Sequence, residues 1–200
     1  MPDPIENGDV LEQAFILMEL EPPSSLDDGS AKATAAAKQL PRAFKIVLES
    51  YDWSFARKIH DLPMINLAQE NIPVDPDLPY AARLPADCVA LRKVYLDTRY
   101  RYRVDEDIVR TEVDAPLTVR YTSSDYRLKF MPQTFQQLVA YQLAMMLAPK
   151  YVKTRSKREQ LRSEMADASY AARSNDAHTA SVGRLDGTQD VIDWAQEAVT

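Results

Sequence analysis

Covalent chemistry needs a nucleophile, a base or a bound metal, and this chain offers few residues for any of them. Cys88 is the single cysteine, and His60 and His178 are the only histidines. A cysteine nucleophile requires a base that stabilises its thiolate. Neither histidine adjoins Cys88 in sequence, and His178 falls in a stretch of linker composition. Cys88 therefore reads as a buried structural residue, since free cysteines behave as small hydrophobes. One cysteine and two isolated histidines give no metal-ligand spacing. The four glycines, Gly8, Gly29, Gly183 and Gly187, are too scattered for a phosphate-binding glycine loop. Asp27-Asp28 and Asp105-Glu106-Asp107 are acidic but sit in turn-like contexts. A catalytic carboxylate pair needs two environments that separate its pKa values. The expectation is a protein with no catalytic, cofactor-binding or metal-binding residues.

Three other patterns point to surfaces. In Arg99-Tyr100-Arg101-Tyr102-Arg103 the residue types alternate with period two, which puts tyrosines on one face of a strand and arginines on the other. Such a strip can stack on bases and neutralise phosphates. It can equally pack its tyrosines and turn its arginines to acidic neighbours, which the acidic turn just after it favours. A second basic cluster, Lys150, Lys153, Arg155, Lys157, Arg158 and Arg162, opens a helix, where positive charge opposes the helix dipole. Residues 1–30 hold eight acids and no lysine or arginine. Arg155, Lys157 and Arg158 are thus candidates for an electrostatic contact between subunits. Finally, Val191, Ile192 and Trp194 form a short amphipathic segment beyond a polar linker. A large aromatic there serves either as an interface anchor or as a fold-back contact on its own domain.

The elements that must carry these residues are legible in outline. Asp9 with Glu12 marks a helix start, Leu11, Ala14, Phe15 and Met18 follow at helical spacing, and Pro22-Pro23 stops it. Residues 24–30 read as a loop. The alanine-rich stretch 31–48 has high helix propensity, with Pro41 predicting a kink or two abutting helices. Residues 61–87 contain five prolines and read as an irregular connection. Short segments of β character follow at 89–96, 100–104, 108–111 and 117–121, with a turn at 105–107. Thr134 to Gln137 reads as a capping box opening an apolar helix that Pro149 ends. A further helix is predicted near 154–172, then a linker over 173–189.

Together these predict an α+β, mainly α fold: a helical bundle with a small inserted antiparallel β-region at about 89–122, and an extended C-terminal arm. The main domain is expected at 1–175, with the linker and amphipathic arm at 176–200. The single cysteine permits no intrachain disulfide. The start has no basic n-region, so no secretory signal is expected, and no apolar run approaches the ~20 residues of a membrane span. A net charge of -6 makes a dedicated nucleic-acid binder a weaker reading.

The order of motifs resembles phage head-to-tail adaptors of the tail tubular protein A type. An opening helix leads to Pro22-Pro23-Ser24-Ser25-Leu26-Asp27-Asp28-Gly29-Ser30 and an alanine-rich helix. Tyr51-Asp52-Trp53-Ser54-Phe55-Ala56-Arg57 looks like that family's W-x-F-A segment. Tyr80 to Val94, with Leu84-Pro85-Ala86-Asp87-Cys88, and Met131-Pro132 before the next helix complete the order. The resemblance spans roughly 8–175. It implies a virion protein at the head–tail junction, made in the host bacterial cytoplasm and assembled as a ring, expected to be a dodecamer. The ring would join portal protein to tail nozzle protein, with DNA passing through without sequence readout and no membrane involved. On that reading Val191, Ile192 and Trp194 would meet the portal or a neighbouring subunit. Arg99, Tyr100, Arg101, Tyr102 and Arg103 would meet the nozzle, a neighbour or the DNA channel. A stopper protein of a long-tailed phage is the alternative of the same class, and a small DNA-binding accessory protein that of another.

Overall fold

A computed structural model of the chain describes residues 7–125 and 131–180. It contains four α-helices: α1 (Asn7–Leu17), α2 (Ala31–Glu49), α3 (Gln133–Tyr151) and α4 (Arg155–Ala180). Six strands lie between α2 and α3: β1 (Arg57–Leu62), β2 (Tyr80–Arg83), β3 (Cys88–Tyr95), β4 (Tyr102–Asp105), β5 (Ile108–Thr111) and β6 (Leu117–Ser123). The fold is therefore α+β and mainly α, as the sequence implies. The C-terminal arm, with Val191, Ile192 and Trp194, lies outside the described residues. The chain divides into two compact units, one from the described residues of Met1–Ala43 and Met131–Thr200, the other from those of Phe44–Phe130.

The first unit is helical. Helix α3 buries residues around most of its circumference, including Phe135, Leu138, Val139, Tyr141, Leu143 and Leu147. A helix apolar on nearly every side belongs at the centre of its bundle. Leu11, Ala14 and Phe15 of α1 and Leu161 and Ala172 of α4 are buried as well. Helix α1 ends before Pro22-Pro23. Leu20 donates its N–H to the Phe15 carbonyl at 3.0 Å and Glu19 to that of Ile16 at 2.8 Å, with Glu19 at φ 59°. This is a Schellman termination, which satisfies the last carbonyls and turns the chain away before the prolines. Ser30 caps α2 by accepting the Ala33 N–H on Oγ at 3.1 Å. Asp28 shapes the preceding loop by accepting the N–H groups of Ser24 and Ser30 at 3.0 and 2.8 Å, and Gly29 supplies φ 73° between them.

Three helix ends differ from the sequence expectation. Helix α3 starts at Gln133 after Pro132, without a side-chain cap. Thr134 is thus already inside the helix and not at its cap, and the neighbouring buried Gln136 donates to the Met131 carbonyl at 3.2 Å. Pro149 lies within α3, which closes two residues later. Helix α4 continues to Ala180, eight residues into the stretch 173–189 read as linker, whose remainder lies outside the described residues. Asp176 is buried there and the Asn175 amide reaches Thr134 at 3.3 Å, so tertiary contacts override weak local propensity.

The second unit holds two three-stranded antiparallel sheets, in the orders β1-β6-β3 and β2-β5-β4. Both contribute to one apolar cluster: Leu62, Ala82, Val94, Val109, Leu117, Val119 and Tyr121. In β6 the inward residues Leu117, Val119 and Tyr121 alternate with Thr118 and Arg120, the period of a strand covered on one face. The β-region is thus wider than 89–122. Its first two strands fall in or beside the proline-rich stretch read as irregular. Tyr80-Ala81-Ala82-Arg83 has little β propensity of its own, and pairing with β5 in full register makes it a strand.

The last turn of α2 is tied to this unit by two side chains. The Trp53 indole, fully buried, donates to the Val47 carbonyl at 2.8 Å. Arg92, on β3, donates through Nη2 to the carbonyls of Leu48, Glu49 and Tyr51 at 2.9, 3.0 and 2.6 Å, and through Nε to Thr122 Oγ1 at 2.8 Å. A helix leaves its final carbonyls without intrahelical donors, and a guanidinium suits them in both charge and dipole. Arg92→Leu strands several acceptors at once and is expected to cost about 3 kcal/mol, while Arg92→Lys recovers only part of it because an ammonium lacks the planar fork. Urea unfolding of the full chain measures both.

Candidate functional site

The surface around β4 and β5 holds most of the residues singled out by type. Tyr102 and Val104 lie opposite Thr111 and Val109 of β5, while Arg103 lies opposite Arg110. Alternation is therefore kept, but only from Tyr102 onward. Arg99 and Tyr100 belong to the turn before β4, where Asp97 accepts the Arg99 N–H at 3.0 Å and its carbonyl accepts the Tyr100 N–H at 2.9 Å. The tyrosines do not pack away. Tyr100 on the turn is 44% exposed, and Tyr102 and Val104 on the sheet edge are 47% and 41% exposed.

Each arginine of the strip is already matched by an acid of its own chain. Arg99 pairs with Asp97 at 2.8 Å, Arg101 with Glu112 at 2.6 Å, and Arg103 with both Asp75 and Asp105 at 2.8 Å. Asp105 also accepts from Arg110 at 3.0 Å, so one carboxylate bridges two arginines that face each other across the strands. Arg83 pairs with Asp107 and with Glu70. These partners hold the carboxyls of Asp97, Asp105 and Glu112 below their ordinary range, chiefly through hydrogen bonds from Arg99, Arg103 and Arg101 respectively. The patch is thus balanced in charge. A phosphate backbone would have to displace these acids before releasing counterions of its own.

A second cluster gathers at Asp87, just before β3. The Asp87 carboxylate accepts from Lys58 Nζ at 2.8 Å, Ser123 Oγ at 2.6 Å and the Tyr121 hydroxyl at 3.2 Å. Lys58 also reaches Asp125 at 2.9 Å, and the Asp87 carbonyl accepts the Ser124 N–H at 2.8 Å. Side chains of β1 and β6 thereby meet at the residue preceding β3. Burial pulls the Asp87 pKa upward, but donation from Lys58 and Ser123 and the Lys58 charge more than offset it, holding the value at about 2. Hydrogen bonding to Asp87 in turn raises Lys58. No local sequence signal joins Lys58, Asp87, Tyr121 and Ser123, since register alone brings them together.

Cys88 is half-buried beside this hub, at a cleft of about 430 Å³ shared with Leu84, Pro85 and Asp107. Burial, then the Asp87 charge, pushes its thiol up, away from the thiolate a nucleophile needs. His60 stands opposite Val119 on β1, whereas Cys88 stands opposite Ser123, so the strands do not bring the two together. His178 lies near the end of α4. Among the described residues no three His, Cys, Asp or Glu side chains are grouped to hold a metal ion. No described helix is long and apolar enough to cross a membrane.

On α4 the predicted basic trio separates. Lys157 is drawn into its own chain, donating to Glu19 at 2.7 Å with its side chain only 15% exposed. Arg155 and Arg158 stay exposed, and among the described residues neither has an acidic partner. Val191, Ile192 and Trp194 lie outside the described residues. Neither the models of known protein families nor the curated proteins contain a match to this chain.

The Asp87 hub sets a pH dependence. Its folded pKa of about 2 lies below the ordinary 3.8. A depressed folded pKa gives stability that is present above the unfolded value and lost as pH falls through the folded one. The urea midpoint is therefore expected to drop between about pH 4 and pH 2. Asp87→Asn should remove about 1 kcal/mol of that dependence, a figure reduced for solvent screening, and an acid limb unchanged in the variant would disprove the role of this carboxylate.

Proposed function

We propose that this chain is a structural subunit of a phage virion, a ring-forming head-to-tail adaptor that joins the portal to the tail nozzle around the DNA channel. The observation that carries this reading is the surface at β4. Tyr102 and Val104 stand exposed on an edge strand and Tyr100 on the turn before it, framed by arginines whose charges are met within the chain. Tyrosine and arginine are enriched at protein interfaces, and an edge strand with unpaired backbone groups is a natural docking rail. The order of sequence motifs from Pro22 to Met131, which resembles the tail tubular protein A type, supplies the location at the head–tail joint and the expectation of a dodecamer. In this role the protein works by association: it docks on a filled portal, helps to retain DNA and presents a platform for the nozzle. DNA passes without sequence readout, and no covalent step is required.

The same surface disfavours the reading as a DNA-binding accessory protein. A binder that released counterions through six to ten phosphate contacts would lose roughly 10³–10⁵ in affinity between about 50 and 200 mM salt. The adaptor reading expects little DNA binding by the lone chain. A stopper of a long-tailed phage remains the alternative within the same class.

Mass measurement of the full chain, alone and mixed with the portal protein of the same phage, tests the reading. A chain that assembles with the portal supports it, and one that never does would sink it. Replacing Tyr100, Tyr102 and Val104 by serine should leave folding stability within about 0.5 kcal/mol per site, because exposed positions contribute little. The same triple variant should weaken binding to nozzle, portal or neighbouring subunit at least about tenfold, the loss of 1.4 kcal/mol or more expected of central apolar anchors.

A further inference from the structure

The described arginines of the β-sheet unit are taken up by acids or carbonyls of their own chain, but the start of α4 is different. Arg155, Arg158 and Arg162 are spaced three and four residues apart, which puts them in one stripe of the helix. They line a cleft of about 250 Å³ whose apolar lining is Met145, Ala148 and Pro149 of α3. Glu159 also lines it, but its one contact is a loose pair with Arg162 at 3.5 Å, with both side chains more than half exposed. Basic charge at a helix start is disfavoured by the helix dipole, so an acidic occupant would relieve two repulsions at once.

The sequence contains a segment with the matching pattern. Asp190, Asp193 and Glu197 repeat the same three-and-four spacing, and Val191, Ile192, Trp194 and Val199 lie among them. Residues 181–200 hold four acids and a single arginine. We infer that the groove between α3 and the start of α4 binds the acidic segment 190–199 of a second copy of this chain, with Asp190, Asp193 and Glu197 meeting Arg155, Arg158 and Arg162 and the apolar side chains covering Met145 and Pro149.

Chain length argues for a second copy rather than the same one. From Arg162 to Ala180, α4 rises ~27 Å. The ten residues from there to Asp190 reach at most ~34 Å when fully extended, and a coil of that length spans on average ~17 Å. The chain's own segment would need a nearly taut return, whereas a neighbour's has no such constraint. A contact of groove to segment is head-to-tail, a kind that forms a ring where the repeated rotation closes. The inference needs only copies of this chain, so it stands apart from the portal reading above.

The test uses sedimentation of the full chain over a range of concentrations at about 50 mM and higher salt. Self-association that weakens with salt is expected. Arg155→Glu/Arg158→Glu/Arg162→Glu should raise the dissociation constant at least about tenfold, and Asp190→Lys/Asp193→Lys/Glu197→Lys should do the same from the other side. Mixing the two reversed proteins should restore association, because each then offers what the other lacks. The acid-reversed variant leaves the groove helices untouched, so its loss of association cannot be ascribed to misfolding of α3 or α4. A monomer at every concentration, association indifferent to both reversals, or a mixture that stays monomeric overturns the inference. Portal binding by a chain that fails this test would leave the adaptor reading intact.

Discussion

A helix that ends against a sheet leaves carbonyl groups facing a place from which water is being removed. In this chain the guanidinium of Arg92 takes up that burden. It reaches from β3 to the carbonyls of Leu48, Glu49 and Tyr51 and holds Thr122 on β6 at the same time. One planar cation therefore joins the end of α2 to β3 and β6, elements far apart in sequence. Trp53 adds a second tie through Val47, and its ring stands edge-on to Tyr51 with centroids 5.0 Å apart. The segment Tyr51 to Arg57 is thus, physically, the place where helix gives way to sheet.

Charge in the sheet unit is organised by the same economy. Acids in or beside the turns, Asp97, Asp105 and Asp107, each hold an arginine close by. Asp75 and Glu112 reach in from other connections to complete the pairing. Exposed pairs of this kind add little to stability. Their effect is on recognition: they remove free positive charge from a surface that also presents tyrosine and valine. Arg110 shows what the arrangement costs, since its Nη1 is buried without a partner among the described residues. Arg155 and Arg158 form the contrast, exposed and unmatched among the described residues, which is why the two basic clusters invite different readings.

Sequence and structure agree most closely where periodicity is strong. The spacing of Leu11, Ala14 and Phe15 and the apolar run of α3 appear as read, because apolar side chains must leave water and their period dictates the element. Agreement is weaker where a tertiary partner decides. β1 carries exposed Ile59, His60 and Asp61 and becomes a strand by pairing with β6. The close of α1 before the prolines depends on Glu19 adopting a left-handed conformation, which its residue type does not announce. Thr134 has the local chemistry of a cap, but Pro132 in extended conformation starts the helix before it.

The candidate surfaces divide in the same way. Residue types alone determined that Arg99 to Arg103 would form a mixed strip and that α4 would open on a cluster of positive charge. The fold class, mainly helical with an antiparallel insertion, was also within reach of propensity and pattern. Only tertiary structure decided which charges remain unmet. Lys157 meets Glu19 across 138 positions of sequence and Lys58 meets Asp87 across 29, while Arg158, one residue from Lys157, meets no acid among the described residues. The reason is physical: burial and periodicity are properties of a segment, but an ion pair belongs to two segments, and its formation depends on where the fold carries both.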